Sequence, residues 1–453
     1  MKLTYEIARK ILAVVPSSIP ASALNAAQLS LVDGLAVMLA AVPLEPSVQP
    51  FQEFARASGP GPSRLLSGGT TSPSLAALAN GALSHALDFE DTFDKVGLHP
   101  NAALIPALLA LAEPEEHSLG DFLAAMAIGC DMTCRLGLAL KGDPAERGWY
   151  HPPIIGAVGA AFGLAYFLKL DANVTVSAVS LTLAQFMLSD ALKRSPASDL
   201  RAIRDGFAAR AAVDAVQLAR LGVKGTGDPL GEKGGLFDIL TGNPPDTDPL
   251  KSAGRPYQGE DVTIKLWPCC RGTHSAIQLA LDLVAEGFDP SRIASVAFTV
   301  QPPEDMLFEP TKDRQAPKTP IGAKFSIPYT FAHTLLHGAP DLNSFGERPR
   351  ENPETLALAR RVTLRGVVPD GPRTAKFCLQ DGADFERSYP SSGTSTAKDW
   401  HVSDIARKVE LCAEIAGIDA EKLLALPGLP RSVKIRDLID PTVLSNADRN
   451  RWR

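Results

Sequence analysis

Positive charge is in short supply in this sequence. Its 45 Lys and Arg are outnumbered by 51 Asp and Glu, for a net charge of −6 at pH 7. Nucleic-acid binding needs a basic footprint for phosphates, and membrane anchoring a polybasic patch for anionic lipid; neither partner is expected. An anionic small molecule must be drawn by local Lys, Arg or amide dipoles, because the overall field does not attract it. Cysteine is also scarce: Cys130, Cys134, Cys269, Cys270, Cys378 and Cys412 are the six in 453 residues. That is no disulfide framework, and the neighbours Cys269 and Cys270 are badly placed to bridge each other. Reduced thiols and a cytoplasmic location are expected. The first apolar stretch is interrupted by Glu6, Arg9 and Lys10, so it does not read as a signal peptide. The best candidate for a membrane span, residues 148–168, is broken by His151, Pro152 and Pro153, and its Gly156, Gly159 and Gly163 suit a buried, closely packed helix. The Gly-rich stretch 224–245 contains no Gly-Lys-Ser/Thr, so it reads as a connector rather than a phosphate cradle.

What is present is ordinary for a globular chain, with 45% apolar and 21% charged residues. The length suggests two or three domains. Residues 1–262 read as a helical domain, with apolar helical patterns at 23–41, 101–112, 119–140, after Pro153, 174–193 and 198–222. Residues 263–394 read as a smaller α+β lid domain. It has strands at 293–300, 361–368 and 374–379, a turn at Asp381-Gly382 and a helix over 323–337. Residues 395–453 return to helix at 402–416 and 419–425. The expected fold class is therefore mostly α, a large all-helical domain with an α+β lid.

Four segments carry candidate chemistry. In the first, Ser84 to Thr92 followed by His99-Pro100, a helix continuing past Leu83 places Asp88 and Thr92 four apart on one face. His99 follows across a short turn. An acid, a hydroxyl and an imidazole can then gather at one helix end; the alternative is a capped, solvated terminus. In the second, Lys265 to His274, Pro268 suits the first position of a helix running through Ile277 and Leu283. Its free N–H groups, with Lys265 and Arg271, form a corner for a carboxylate. Cys270 gains thiolate character there if exposed, and His274 stands four residues on. Two such ligands are too few for a metal site, so none is expected; plain packing is the other reading. In the third, Arg201 and Arg204 share a helix face and can clamp a carboxylate, unless they pair with Asp199, Asp205 and Asp214. In the fourth, Tyr150 and His151 precede a double proline and a small-residue helix, as a pocket wall or as an exposed helix start.

In this order the segments resemble the MmgE/PrpD family, which includes methylcitrate dehydratase, cis-aconitate decarboxylase and iminodisuccinate epimerase. The resemblance covers nearly the whole chain, from Leu31-Val32-Asp33-Gly34 through His85-Ala86-Leu87-Asp88-Phe89-Glu90-Asp91-Thr92 and Lys265-Leu266-Trp267-Pro268-Cys269-Cys270-Arg271 to Ala323-Lys324-Phe325-Ser326. It implies a cofactor-free site between the two domains, C-terminal helices that return to the large domain, and a homodimer. It places the family's acid, hydroxyl and imidazole on Asp88, Thr92 and His99, and its lysine on Lys265. Two departures stand out. Arg201 falls where the family often has lysine, and Tyr150 rather than His151 falls at a usual histidine.

The family chemistry passes through a carbanion beside a carboxylate, which needs a base and nearby positive charge. The expected roles follow. Lys265, Arg201 and the helix end after Pro268 hold carboxylates of a small polycarboxylate. His99 or Tyr150 moves the proton, with His151 as the alternative. Asp88 orients His99, and Thr92 donates to a substrate oxygen. Dehydration of a hydroxy di- or tricarboxylate leads, decarboxylation and epimerisation follow, and a non-catalytic binder is the rival. Alanine at His99 or Lys265 is expected to cut turnover by about 10²-fold without unfolding the protein.

Overall fold

The computed structural model describes residues 2–195, 198–389 and 400–438. The N-terminal part is helical: α1 (Leu3–Leu12), α2 (Ala21–Leu44), α3 (Gln49–Ala57), α4 (Pro73–Ala86), α5 (Pro100–Ala112), α6 (Leu119–Leu138), α7 (Pro152–Phe167), α8 (Ala172–Leu183) and α9 (Leu200–Arg220). A two-residue hairpin, β1 (Ser63–Arg64) and β2 (Thr70–Thr71), sits between α3 and α4. Alanine and leucine dominate these helices, and several are apolar all round and buried on every face, as helices at the centre of a large domain are. α2 is the one described helix long and apolar enough to cross a membrane by length and composition. Most of it is buried inside the protein. The sequence pointed instead to 148–168, where α7 is a shorter apolar helix packed against α6, with Gly159 against Thr133 and Gly163 against Gly129.

α4 and α9 cross at Gly81 and Gly206. A Cβ on Gly206 would stand 2.5 Å from the Leu78 carbonyl oxygen and 2.9 Å from the Ala82 nitrogen, and one on Gly81 2.7 Å from the Gly206 Cα. The two backbones touch, which carries the end of α4 and the start of α9 to one place. Gly206→Ala is expected to lower stability by about 1–3 kcal/mol, the range for overpacking a tight core. The midpoint of urea unfolding checks this.

The C-terminal part holds α10 (His274–Ala285), β3 (Ile293–Val300), α11 (Ile327–His337), β4 (Val362–Val367), β5 (Thr374–Leu379) and β6 (Asp384–Ser388). The sheet order is β4-β3-β5-β6; β3 runs parallel to β4 and antiparallel to β5, and β5 antiparallel to β6. The parallel pair needs a long crossover, and α11 lies within it. One face of the sheet is apolar, and Phe298 and Phe377 pack there on Phe331 of α11 with ring centroids 5.2 and 6.2 Å apart. The chain then returns to the helical body. α12 (Ala406–Ala416) packs on α2, where Lys408 Nζ stands 2.6 Å from the buried Asp33 Oδ1. The molecule is thus a mostly helical body with a small α+β part.

Several expected elements differ in detail. The 174–193 pattern stops at Leu183, and a separate 3₁₀ turn, Asp190–Arg194, follows. The 323–337 helix is two helices, Pro320–Lys324 and Ile327–His337, broken at Phe325-Ser326 because the Ser326 hydroxyl caps the second by accepting from the Tyr329 N–H. No helix starts at Pro268: a 3₁₀ turn occupies Arg271–Thr273 and α10 begins at His274.

Candidate active site

α4 ends at Ala86, two residues short of Asp88, whose backbone adopts a left-handed conformation at φ 50°. A short polar side chain tolerates that region better than most. The chain then runs irregularly to Thr92, which exchanges backbone hydrogen bonds with Thr263 at 2.8–2.9 Å. It turns back at His99, the residue before α5, whose Pro100 takes the first helical position. Asp88 and Thr92 therefore do not share a helical face, as the sequence suggested; an irregular turn brings them to one cavity.

That turn is held by ammonium groups from distant segments. Lys324 Nζ donates to the Ala86 carbonyl at 3.3 Å, Lys265 Nζ to that of Asp88 at 3.0 Å, and Lys408 Nζ to that of Phe89 at 2.5 Å. All three are buried. Cations suit the C-terminal end of a helix, where carbonyls lack partners. These contacts fasten the C-terminal half of the chain to the end of α4.

The cavity between the two parts has a volume of about 460 Å³. Asp88, Thr92, His99, Tyr150, His151 and Arg201 line it from the helical body, and Cys270 and Arg271 from the other side. Lys265 and His274, also expected there, are not in its lining. Lys265 is fully buried behind Asp88, ion-paired to Asp88 Oδ1 and 3.9 Å from Glu90 Oε1. Burial opposes its charge, but Asp88 and Glu90 more than reverse this and raise its pKa. It is a structural counter-ion rather than a first contact for substrate. His274 is buried against Trp267, with Nδ1 3.1 Å from an Arg271 Nη1. Burial, then Arg271 and Lys265, hold its pKa well below the usual histidine value. It is a packed neutral imidazole, the blander of its two readings.

Cys270 also departs from expectation. It precedes the short 3₁₀ turn, not a long helix, and burial followed by the Asp88 carboxylate pushes its thiol up to about 11. No thiolate is supplied, and the helix-end anion site after Pro268 does not form. Arg271 lines the cavity but is engaged by Asp94, Nη2 to Oδ2 at 2.9 Å. Arg204 does not line the cavity; its Nη1 donates to the Arg201 carbonyl at 2.6 Å and its Nε stands 3.6 Å from Asp205. The Thr92 hydroxyl donates to the Leu98 carbonyl at 3.1 Å, so toward a ligand it offers lone pairs rather than its proton.

The partner of His99 is not Asp88. Glu90 Oε1 stands 2.9 Å from His99 Nδ1, and the Asp91 carbonyl 3.1 Å from the same nitrogen. Both neighbours are acceptors, so Nδ1 carries the hydrogen and Nε2 keeps the lone pair. Glu90 Oε1 also meets His85 Nδ1, and the two imidazoles pack edge to face with centroids 4.8 Å apart. Burial works against ionisation of Glu90, but His85, Lys265 and His99 outweigh it and hold its pKa well below the usual carboxylate range. For Asp88, burial is likewise overcome, by Lys265 and then His85, and its pKa falls to about 2. The turn thus carries two ionised carboxylates with separate tasks. Glu90 belongs to the same motif, where spacing alone gives it no role; its burial five residues after His85 identifies it. Replacing Glu90 with glutamine is expected to lower kcat about tenfold or more with little change in KM. ¹⁵N-histidine NMR should show His99 changing from one tautomer to a mixture.

His85, Asp88, Glu90 and His99 each offer one ligand atom, all within 4.8 Å of one another. A divalent ion can be drawn there on the donor set alone. The Lys265 ammonium already lies against both carboxylates, and His85 Nδ1 and His99 Nδ1 are both spent on Glu90. The set fits an internal ion-pair network better than a metal centre.

Tyr150 is packed among cations: Lys193 Nζ lies 5.7 Å, Arg204 Cζ 5.1 Å and Arg201 Cζ 5.9 Å from its ring centroid. Burial lowers the pKa of His151 to about 4, so it is neutral at pH 7. His85 and His333 are also lowered to about 4, chiefly by burial, and His274 well below its usual value. A histidine whose folded pKa lies below its unfolded value contributes stability that is intact above about pH 6.5 and is lost as pH falls toward 4. Asp33 acts in the opposite sense, since burial raises its pKa to about 6 and the fold takes up that proton first. Asp91 and Asp131, also raised by burial, act with Asp33, but the lowered histidines, His117 among them, outnumber these carboxyls, so the urea midpoint is expected to drop between pH 7 and pH 5. A midpoint that rises over that interval contradicts the assignment.

Two family profiles match the chain. The profile of the MmgE/PrpD N-terminal domain matches residues 5–248 and that of the MmgE/PrpD C-terminal domain residues 267–370. The chain is similar to a cis-aconitate decarboxylase-like protein of Aspergillus oryzae, 25% identical over 383 residues that cover 80% of this chain and 79% of the relative. It is also similar to the cis-aconitate decarboxylases of Mus musculus and Homo sapiens. These are 28% identical over 70% of this chain and 26% identical over 69% of it, and in each case 67% of the relative is covered.

Proposed function

The chain belongs to the MmgE/PrpD family, and from that premise we propose that it is a cofactor-independent lyase working through a carbanion next to a carboxylate. The observation that carries this reading is the pairing of His99, a cavity-lining imidazole whose Nδ1 lies against the Glu90 carboxylate and the Asp91 carbonyl, which leaves Nε2 to act as the base. Arg201 cannot serve as a base, because guanidinium does not deprotonate in proteins; it supplies charge while His99 moves the proton. The loss of the lysine often found at that position therefore leaves the chemistry a base, which speaks against a purely binding role.

Decarboxylation is the first reading, because the curated relatives are named for it. His99 Nε2 first takes up a proton from solvent; the C–C bond then breaks, its electron pair stays on the substrate as carbon dioxide leaves, and the imidazolium delivers that proton to the carbon, returning to the neutral imidazole. Dehydration is the second. His99 Nε2 removes a proton from the carbon beside the carboxylate. The resulting enediolate then expels hydroxide from the next carbon, and the imidazolium returns the proton to it as water. Arg201 stabilises the negative charge that develops in either case. The proposal includes a cytoplasmic homodimer, which analytical ultracentrifugation checks for its oligomeric part.

The test is proton NMR in deuterated water with a panel of unsaturated and hydroxy di- and tricarboxylates. Deuterium appearing at the carbon beside a carboxylate, in product or recovered substrate, is the expected result. Binding of panel members with no deuterium incorporated and no product formed would leave only a binding protein.

A further inference from the structure

The cations around the cavity are not equivalent, and the difference bears on how many charges a ligand carries. Lys193, Arg271, Arg373 and Lys95 all line it, and each already faces a carboxylate. Lys193 Nζ is 2.6 Å from Asp190 Oδ1, Arg271 Nη2 2.9 Å from Asp94 Oδ2, Arg373 Nη2 2.8 Å from Glu304 Oε1, and Lys95 Nζ 2.6 Å from Asp261 Oδ2. Asp94 and Glu304 line the cavity themselves, as does Asp88 beside its own partner Lys265.

Arg201 is the exception. It is 6% exposed, and no carboxylate among the described residues lies within ion-pair distance of it. Its Nη1 reaches the Lys193 carbonyl at a long 3.4 Å and its Nη2 the Met306 sulfur at 3.9 Å, while its buried Nε has no partner. Its guanidinium lies over Phe325, with Cζ 3.5 Å from the ring centroid. A buried guanidinium with idle donors, held in place by an aromatic face, is prepared for one planar anion. A carboxylate that docks there completes the pairing; a further carboxylate must displace an existing partner or lie among Asp88, Asp94 and Glu304.

We propose that the ligand of this cavity is a dicarboxylate, anchored by Arg201 through one carboxylate and presenting the second to the His99 imidazole in its protonated form, and that a third carboxylate is rejected. This rests on the lyase reading for what happens at His99, but not for the binding itself. His99 and Arg201 line one cavity, and when the imidazole is protonated it can balance the second charge; nothing comparable awaits a third.

Three unreactive probes that share a propane skeleton isolate the charge count: butyrate, glutarate and tricarballylate, with one, two and three carboxylates. Calorimetry on the full chain should rank glutarate first, with tricarballylate and butyrate each about tenfold weaker or more. Arg201→Gln should weaken glutarate at least about thirtyfold, whereas Arg271→Gln and Arg373→Gln should change it by less than about threefold. Tricarballylate binding as well as or better than glutarate overturns the proposal, and so does butyrate matching glutarate or the absence of binding by all three. A loss at Arg271→Gln or Arg373→Gln as large as that at Arg201→Gln also overturns it, since those cations would then be recruited. The wild-type ranking stands whether or not any variant folds. If the ranking holds while no substrate exchanges deuterium, the binding inference survives and the lyase reading fails; exchange confined to tricarboxylates gives the reverse.

Discussion

His99→Gln is expected to lower turnover by about 10²–10⁴-fold, the range for loss of a positioned general base. Glutamine retains a polar side chain that can still donate toward Glu90, but it has no titrating nitrogen to face the cavity. His99 is partly accessible, unlike the buried His85 beside it, so the substitution should leave the far-UV spectrum and the urea midpoint almost unchanged. Steady-state kinetics with the substrate identified by the deuterium assay gives the ratio. Wild-type turnover in this variant removes His99 as the base and leaves Tyr150 as the candidate. Because Arg201 and the other cations are untouched, binding of glutarate should survive. That separates loss of chemistry from loss of the pocket.

Lys265→Met is expected to act through stability rather than through substrate contact. The substitution keeps a long side chain and leaves the Asp88 carboxylate buried without its counter-ion, with its carbonyl also short of a donor. Removing one member of a buried ion pair typically destabilises by about 3–5 kcal/mol. Chemical denaturation should show a loss of that order, and activity should fall with it, because Asp88 and the turn that holds His99 lose their anchor. This revises what the sequence alone suggested, that a change at Lys265 would leave folding intact. The double variant Lys265→Met with Asp88→Asn should recover part of the stability, since the orphaned charge is then gone. If Lys265→Met alone is as stable as wild type, the ion pair does not have the structural role assigned to it.

Much of the helical body was legible in the chain. The alanine- and leucine-rich periodicity marked the helices later found at Pro100–Ala112, Leu119–Leu138 and Leu200–Arg220 within a few residues. The β-branched alternation at 293–300 marked the central strand. Periodicity reports which face is buried but not where a backbone breaks. The interruption at Phe325-Ser326 depends on one hydroxyl capping the next helix, and it matters because it sets Phe325 under the Arg201 guanidinium. The stop of α8 at Leu183 likewise frees the following segment to meet Tyr150, whose N–H donates to the Leu188 carbonyl at 2.9 Å.

The site was legible as a set of residues more than as a set of roles. Eight of the eleven side chains singled out do line one cavity, but the pairings differ. Sequence spacing favoured Asp88 as the partner of His99, because Asp88 was assumed to lie on a helix. The left-handed turn at Asp88 instead directs it to Lys265 and leaves Glu90 to the imidazoles. The sequence sets Lys265 beside a helix start at Pro268 that does not exist, and gives Cys270 thiolate character there if it is exposed. Burial then reverses both: the ammonium is neutralised internally and the thiol keeps its proton. Buried ion pairs between segments 177 residues apart leave no local signal in a single sequence.

The account stands on His99 and Arg201 acting on one molecule at once, and a crystal structure of the protein soaked with glutarate measures this directly. The predicted result is one carboxylate in planar contact with the Arg201 guanidinium, with His99 Nε2 about 3–3.5 Å from the carbon beside the other carboxylate. Glutarate bound away from Arg201, or His99 turned so that Nδ1 faces the ligand and Nε2 faces Glu90, would contradict it.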